Sequence, residues 1–288
     1  MDEPDFTLST ARVAIVGLGL MGGSLALALR GCCREIVGVD ADPAALRFAL
    51  DHSIIGRAAD FDAALDCDFV ILAAPVRAIL SQLDHLSHVT RHSSRVTLLD
   101  LGSTKSQIIA TMQSLPAHFD PLGGHPMCGK EVSGIAHAEA GLYRGKVFVL
   151  TPLERTPPRA LALAHELIET IGARPLVLSP ERHDALAAVS SHLPYVVAVA
   201  LMRAAQSLDD DQLWALAASG FRDTSRLAAS DVTMMTDTLL TNRAAILDAL
   251  TGYRRELDSL IALIDAADPA ALRAALAPAQ SHRSELFR

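Results

Sequence analysis

Through residue 179 the chain alternates short β-branched runs with amphipathic stretches, and beyond that point the alternation stops. Arg12-Val13-Ala14-Ile15-Val16, Glu35-Ile36-Val37-Gly38-Val39 and the runs 69–73, 95–99, 146–150 and 174–178 read as strands. Between them, 24–30, 43–52, 106–114 and 159–171 carry apolar positions at helical spacing. Parallel strands need crossover connections, usually helices, so this order predicts a doubly wound parallel α/β sheet over 1–179. From Glu181 to Phe287 no run reads as a strand, and Ala, Leu, Arg and Asp recur at the helical period. Pro180, directly after Ser179, suits the first turn of a helix. The boundary is therefore set there, with an all-α domain over 180–288. The tail 277–288 is expected to be loosely ordered.

Composition narrows the class. A 288-residue chain that is 50% hydrophobic can bury two cores. A net charge of −8 argues against nucleic acid or an anionic membrane as partner. The start, Met1-Asp2-Glu3-Pro4-Asp5, lacks the basic and apolar regions of a signal peptide, and no uncharged apolar run is read as long enough to span a bilayer. Cys32, Cys33, Cys67 and Cys128 form neither a CxxC pair nor a disulfide framework, which predicts reduced thiols and a cytoplasmic setting. His85, His88 and His92 would share one helix face, but without a carboxylate or cysteine frame they read as a solvated surface, and no metal is expected.

The first strand runs into Gly17-Leu18-Gly19-Leu20-Met21-Gly22, a GxGxxG that opens a helix. In that context the motif carries a mechanism and predicts a Rossmann-type dinucleotide site. Gly17 permits the turn, Gly19 lets backbone approach a pyrophosphate, and Gly22 lets helix and strand pack closely. The helix start around Leu18, Leu20 and Met21 offers free N–H groups to phosphate. Asp40 ends the second strand at about the ~20-residue separation where a carboxylate bonds the ribose hydroxyls. No arginine adjoins Asp40, which favours NAD over NADP. Ala73-Ala74-Pro75-Val76 offers a small-residue loop for the nicotinamide side, with Ala74 and Pro75 beneath the ring.

Gly123-Gly124-His125-Pro126-Met127-Cys128-Gly129 fixes one histidine between glycines and a proline, a rigid setting for an acid–base group. Asp100-Leu101-Gly102-Ser103-Thr104-Lys105 leaves the same sheet edge. A hydrogen-bonded Ser103–His125 pair is one reading, with Ser103 also beside the cofactor; a Ser103 N-cap for the following helix is the other. Lys105 reads either as an electrostatic helper or as an exposed residue at a helix start.

These motifs, with Ser191-His192-Leu193-Pro194-Tyr195 and Gly220-Phe221-Arg222-Asp223-Thr224-Ser225-Arg226-Leu227-Ala228, resemble the prephenate/arogenate dehydrogenases of tyrosine biosynthesis over nearly the whole chain. The resemblance implies NAD-dependent oxidative decarboxylation of prephenate, of its amino analogue arogenate, or of both. It implies His125 and Ser103 at the reacting hydroxyl and Arg226 on a substrate carboxylate. Arg222, four residues earlier, would share a helix face with Arg226 and either join it or pair with Asp223 or Asp231. His192 is a further candidate for lining the site, with a packed core residue as the alternative. Tyr195 stands where many relatives carry histidine, and Cys128 where alanine is common. The helical domain is expected to bind substrate and to form a homodimer through the apolar stripe 242–264, with no further catalytic or regulatory module expected. Two other readings remain. One is a β-hydroxyacid or imine dehydrogenase, which typically uses a lysine base, although no lysine follows Lys146. The other is a dinucleotide-binding redox sensor, which would bind NAD(H) without turnover.

Overall fold

The structure, a computed structural model, describes residues 7–89, 94–130 and 132–286. It divides into two compact units, one running through Arg243 and the other from Ala244. In the first unit, strands β1 (Arg12–Val16), β2 (Glu35–Val39), β3 (Arg57–Ala58), β4 (Phe69–Leu72), β5 (Val96–Asp100), β6 (Phe119–Pro126), β7 (Val147–Pro152) and β8 (Arg174–Val177) form one sheet. Its order is β3-β2-β1-β4-β5-β6-β7-β8. Every pairing from β3 across to β6 is parallel, as expected. At β6 the sheet reverses: β7 runs antiparallel to it, and β8 runs parallel to β7.

The central strands are apolar without alternation because both faces are covered. Helices α1 (Leu20–Leu29), α2 (Pro43–Asp51), α3 (Val76–Ser87), α4 (Ser106–Gln113) and α5 (Pro158–Thr170) accompany them. On one side Leu25 and Leu29 of α1 and Leu163 and Leu167 of α5 pack with Ile15 and Ile71. On the other, Ile79 and Leu83 of α3 and Ile108 and Met112 of α4 pack with Val70 and Leu98.

Strand β6 was not legible in the sequence. It carries Pro121, Pro126 and two glycines where strand formers are normal. Close packing explains one of them: a Cβ on Gly123 would lie 2.1 Å from Thr151 Oγ1. The histidine segment is thus the end of a strand rather than a free turn, with His125 opposite Val149 of β7.

After the sheet, Pro180 occupies the first turn of α6 (Pro180–Ala187), and Ser179 caps it by accepting the Arg182 N–H at 3.2 Å. A π-turn, Ala188–His192, connects α6 to α7 (Leu193–Gln206). The continuous helix Pro180–Gln206 is, by length and composition, sufficient to cross a membrane, which corrects the expectation that no run is long enough. In this fold it is a packing element: α7 lies against α9 (Ser219–Ser225) and the 3₁₀ turn Arg226–Ala229. The unit continues through α8 (Gln212–Leu216), which precedes α9, and through α10 (Val232–Thr241). From Ala244 the second unit holds most of α11 (Arg243–Asp265) and all of α12 (Pro269–Leu286). The tail expected to be loose is therefore helical to Leu286, as the end of α12, which continues past Pro278.

A buried ion pair ties the strand ends together. Of the two readings of Lys105, the exposed helix-start residue is overturned: the side chain is fully buried, and its ammonium donates to Asp100 Oδ2 and, at 2.6 Å, to the Gly124 carbonyl. Asp100 also accepts the N–H of Gly102 at 2.8 Å and of Gly124 at 3.2 Å. Burial pushes the Asp100 carboxyl up and the Lys105 ammonium down, and their mutual attraction opposes both shifts. Lys105→Met keeps the stem but strands the carboxylate, and is expected to lower stability by about 3–5 kcal/mol. Urea unfolding measures this, and Asp100→Asn added to Lys105→Met is expected to recover much of the loss. A loss below ~1 kcal/mol would show that the pair does not hold this edge.

Candidate active site

The glycine loop between β1 and α1 forms a cradle. Gly17 takes φ +100°, and a Cβ there would meet the Ala73 carbonyl at 2.8 Å. A Cβ on Gly22 would lie 1.8 Å from the Gly17 carbonyl oxygen, so only glycine lets α1 start this close to the strand. A Cβ on Gly19 would meet nothing within 4 Å; this is the open side of the loop. Gly19 is the N-cap of α1 and among the described residues no side chain caps the helix, so its first N–H groups are available to an anion. A cavity of about 710 Å³ opens beside the loop, lined by Gly17, Gly19, Asp40, Ala74 and Pro75 among others. Its far end reaches Phe61, Gln82 and His85. Asp40 Oδ2 accepts the Leu18 N–H at 2.6 Å and Oδ1 the Asp42 N–H at 2.8 Å, which fixes the carboxylate at the cavity wall. The donor set and the size both fit a dinucleotide.

Not every residue of the motif faces this cavity. Leu18 and Leu20 are core side chains, and Met21 packs against the same core while its carbonyl accepts the Tyr143 hydroxyl at 2.7 Å. His85 pairs with Asp62 at 2.8 Å, and His88 is the C-cap of α3; His92 lies outside the described residues.

At the carboxyl edge of the sheet, His125 is half-buried, and its Nδ1 lies 2.8 Å from Nε2 of His183 on α6. The two rings meet edge to face at 5.0 Å between centroids. His183 Nδ1 lies 2.8 Å from Asp184 Oδ1. The Asp184 carboxylate also accepts the N–H groups of Lys105 at 2.7 Å and Ser106 at 2.8 Å, so it caps α4 from another element. Asn242 donates to the Asp184 carbonyl at 2.8 Å and stands 3.2 Å from His192 Nδ1.

Electrostatics follow from this packing. Burial, with His183, Lys105 and His192 close by, holds His125 well below the ordinary histidine range. Burial likewise pushes His192 down to about 4, with His183 adding to the shift and Asp184 opposing it. Burial opposes ionisation of Asp184, but hydrogen bonds from His183, Ser106 and Lys105 win and hold its carboxyl below the usual range.

The expected Ser103–His125 pair is not what forms. Ser103 Oγ lies 2.9 Å from Thr238 Oγ1 on α10, and the next residue repeats the pattern, Thr104 to Thr241 at 2.8 Å. Nor does Ser103 cap α4, since Lys105 holds the N-cap position and Asp184 does the capping. His192 is buried at the end of the π-turn, a backbone irregularity often found at functional sites. Tyr195 is half-buried on α7, one turn beyond. Arg222 lies on α9, and Arg226 caps that helix and opens the 3₁₀ turn that follows it. Arg222 is exposed and stands 3.8 Å from Asp223. His183, Asp184, Thr238 and Asn242 escaped the sequence reading. The adjacent His-Asp pair just inside a helix start was the one available signal.

Comparison with known proteins identifies the family. Residues 25–177 match the family model for the prephenate dehydrogenase nucleotide-binding domain. Residues 179–278 match the model for the prephenate dehydrogenase dimerization domain. The chain belongs to the prephenate dehydrogenase family. It is 34% identical to the prephenate dehydrogenase of Bacillus subtilis over 89% of this chain and 71% of that one. Its fold matches that of Aquifex aeolicus prephenate dehydrogenase, solved with hydroxyphenyl propionate and NAD+, at a TM-score of 0.89 and 33% identity, covering 98% of this chain and 100% of that one. Synechocystis arogenate dehydrogenase matches at a TM-score of 0.81 and 31% identity, covering 96% of this chain and 100% of that one. This member is an NAD-linked dehydrogenase, with NAD as its cofactor. Gly22→Ala is expected to weaken NADH binding at least about tenfold by closing the cradle, as read by nucleotide fluorescence. Unchanged affinity would mean that the loop relaxes freely around the added methyl.

Proposed function

We propose that the chain carries out the oxidative decarboxylation of prephenate to 4-hydroxyphenylpyruvate, with residues 1–179 binding NAD and 180–288 serving substrate and dimer. The observation that carries this reading is His125, held neutral by burial at the sheet edge beside the cofactor cradle. Gly17, Gly19 and the uncapped start of α1 would hold the pyrophosphate, Asp40 the ribose hydroxyls, and Ala74 and Pro75 the nicotinamide side. Bound NAD+ supplies a hydride acceptor. As the ring carbon bearing the 4-hydroxyl loses hydride it becomes electron-poor, and proton withdrawal from that hydroxyl lowers the barrier. A neutral imidazole at His125 accepts that proton. When the ring carboxylate leaves as CO₂, its bonding electrons complete the aromatic ring, and His125 returns the proton to the phenolic oxygen.

Arg226 is proposed as the guanidinium that receives a substrate carboxylate, for which its two-pronged donor geometry is suited. Arg222, exposed on α9 and 3.8 Å from Asp223, is the second candidate. Ser103, His192 and Tyr195 are proposed to line the same site. Arogenate is the second reading, favoured by similarity to an arogenate dehydrogenase at 31% identity. Tyr195 bears on this choice, since a phenol carries no positive charge near neutral pH. A homodimer fits the dimerization-domain match and the exposed Leu257, Ile261 and Ile264 of α11, which share a helix face. Free thiols at all four cysteines fit a cytoplasmic setting.

NADH formation with NAD+ and each substrate offered separately tests the proposal; silence with both sinks it, and the ratio of rates decides between them. His125→Asn is expected to lower kcat about 10²–10⁴-fold with NADH affinity nearly unchanged. The base must be unprotonated, so kcat/KM is expected to rise with pH through the folded pKa of His125 and then level off. Because burial and the cationic or imidazole neighbours Lys105, His183 and His192 lower that pKa, the rise lies on the acid side of the ordinary histidine value of 6.5. A half-maximum above 7 would contradict the assignment.

A further inference from the structure

We infer that His183 is a positioning residue that fixes the tautomer of His125, with the proton on Nδ1 and Nε2 left bare as the proton acceptor. The inference rests on the proposed role of His125, but its physical basis is independent of substrate. It starts at Asp184, whose carboxylate can only accept. Two backbone N–H groups, of Lys105 and Ser106, hold that carboxylate in place. These donors admit no ambiguity and, with a neutral His183, they set the direction of the hydrogen bonds beyond them.

Asp184 Oδ1 faces His183 Nδ1 at 2.8 Å, and an acceptor cannot face an acceptor, so His183 Nδ1 carries a proton. In a neutral imidazole the other nitrogen then bears a lone pair. His183 Nε2 faces His125 Nδ1 at 2.8 Å, so His125 Nδ1 is the donor there. Near-perpendicular rings, 70° between planes, suit an N–H aimed at an in-plane lone pair. A neutral His125 has one ring proton, and this contact places it on Nδ1. The second nitrogen is left with its lone pair free for the substrate hydroxyl. Without His183 the ring would be free to populate the tautomer that presents an N–H instead, which cannot take a proton.

The chain of donors also explains why both His183 and Asp184 are buried while lying outside the cofactor cavity. They connect the start of α4 to the end of β6 through α6. The relevant neighbours of His125 are accordingly His183 and Asp184 on α6, Lys105 and Asp100 at the strand ends, and His192 on the π-turn.

The test is ¹⁵N spectroscopy of histidine-labelled protein with NAD+ bound, at a pH above 7, with His125 assigned by its loss in His125→Asn. The parent is expected to show His125 protonated at Nδ1 and bare at Nε2. His183→Leu removes the acceptor and is expected to shift His125 toward the Nε2–H form or a mixture. His183→Gln returns an oxygen near the position of Nε2 and is expected to restore the parental pattern. With the substrate that the parent oxidises, kcat is expected to fall about 10- to 100-fold in His183→Leu and to recover substantially in His183→Gln, with KM little changed. A parent in the Nε2–H form overturns the inference, as does a His183→Leu protein with the parental tautomer. A fall in kcat without a change in tautomer overturns it too. If His183→Leu does not fold, the parent and His183→Gln spectra decide. A parent that oxidises neither substrate ends the proposed function but leaves the tautomer assignment to the spectra.

Discussion

The site depends on the way Lys105 is pinned at both ends. Its backbone N–H is taken by Asp184, from a helix beyond the sheet, and its side chain by Asp100, at the end of β5. The first contact answers a general need, because the opening N–H groups of a helix have no partner within it and attract negative charge. Here a distant carboxylate meets that need for α4 in place of the usual local Ser, Thr, Asn or Asp. The second contact anchors β5 to β6 through the Gly124 carbonyl, immediately before His125. One residue therefore couples the helical segment, the sheet edge and the strand that carries the histidine.

This double anchoring is expensive in desolvation. Asp100, Lys105, His183, Asp184 and His192 are all buried, and burial disfavours every charged form among them. Such a cluster persists only when nearly every polar group has a partner. The hydrogen bonds around Asp100 and Asp184 provide those partners, while His192 is held neutral beside Asn242. Burial, with His183, Lys105 and His192 close by, also favours the uncharged form of His125.

Much of this was readable from the residues. The six strands with β-branched runs, the helix start at Pro180 and the glycine cradle with Asp40 all follow from local pattern, because periodicity and turn chemistry act within a few residues. What escaped the sequence acts over distance. Strand β6 hides behind prolines and glycines, and its glycines are explained by tertiary packing, Gly123 against Thr151 and Gly124 against the end of β5. Lys105 is polar and precedes a helix, so local pattern points outward; the buried carboxylate that holds it inward is a tertiary fact. Ser103 and His125 were placed together because their loops share an edge, yet each finds its partner elsewhere: Thr238 lies 135 residues from Ser103, and His183 lies 58 from His125.

The two halves of the chemistry rest on separate supports. The cofactor cavity is lined from β1, the glycine loop, the loops after β2, β3 and β4, and α3, all within the first 85 residues. The orientation of His125 is built by β6 together with α6, the helix that follows the last strand. A nucleotide-binding sheet alone would retain the cradle and lose the group that orders the histidine. The helical segment is therefore more than a substrate wall or a dimer contact. Through His183 and Asp184 it reaches back to the sheet edge and sets which imidazole nitrogen carries the proton and which is left bare for the reacting hydroxyl.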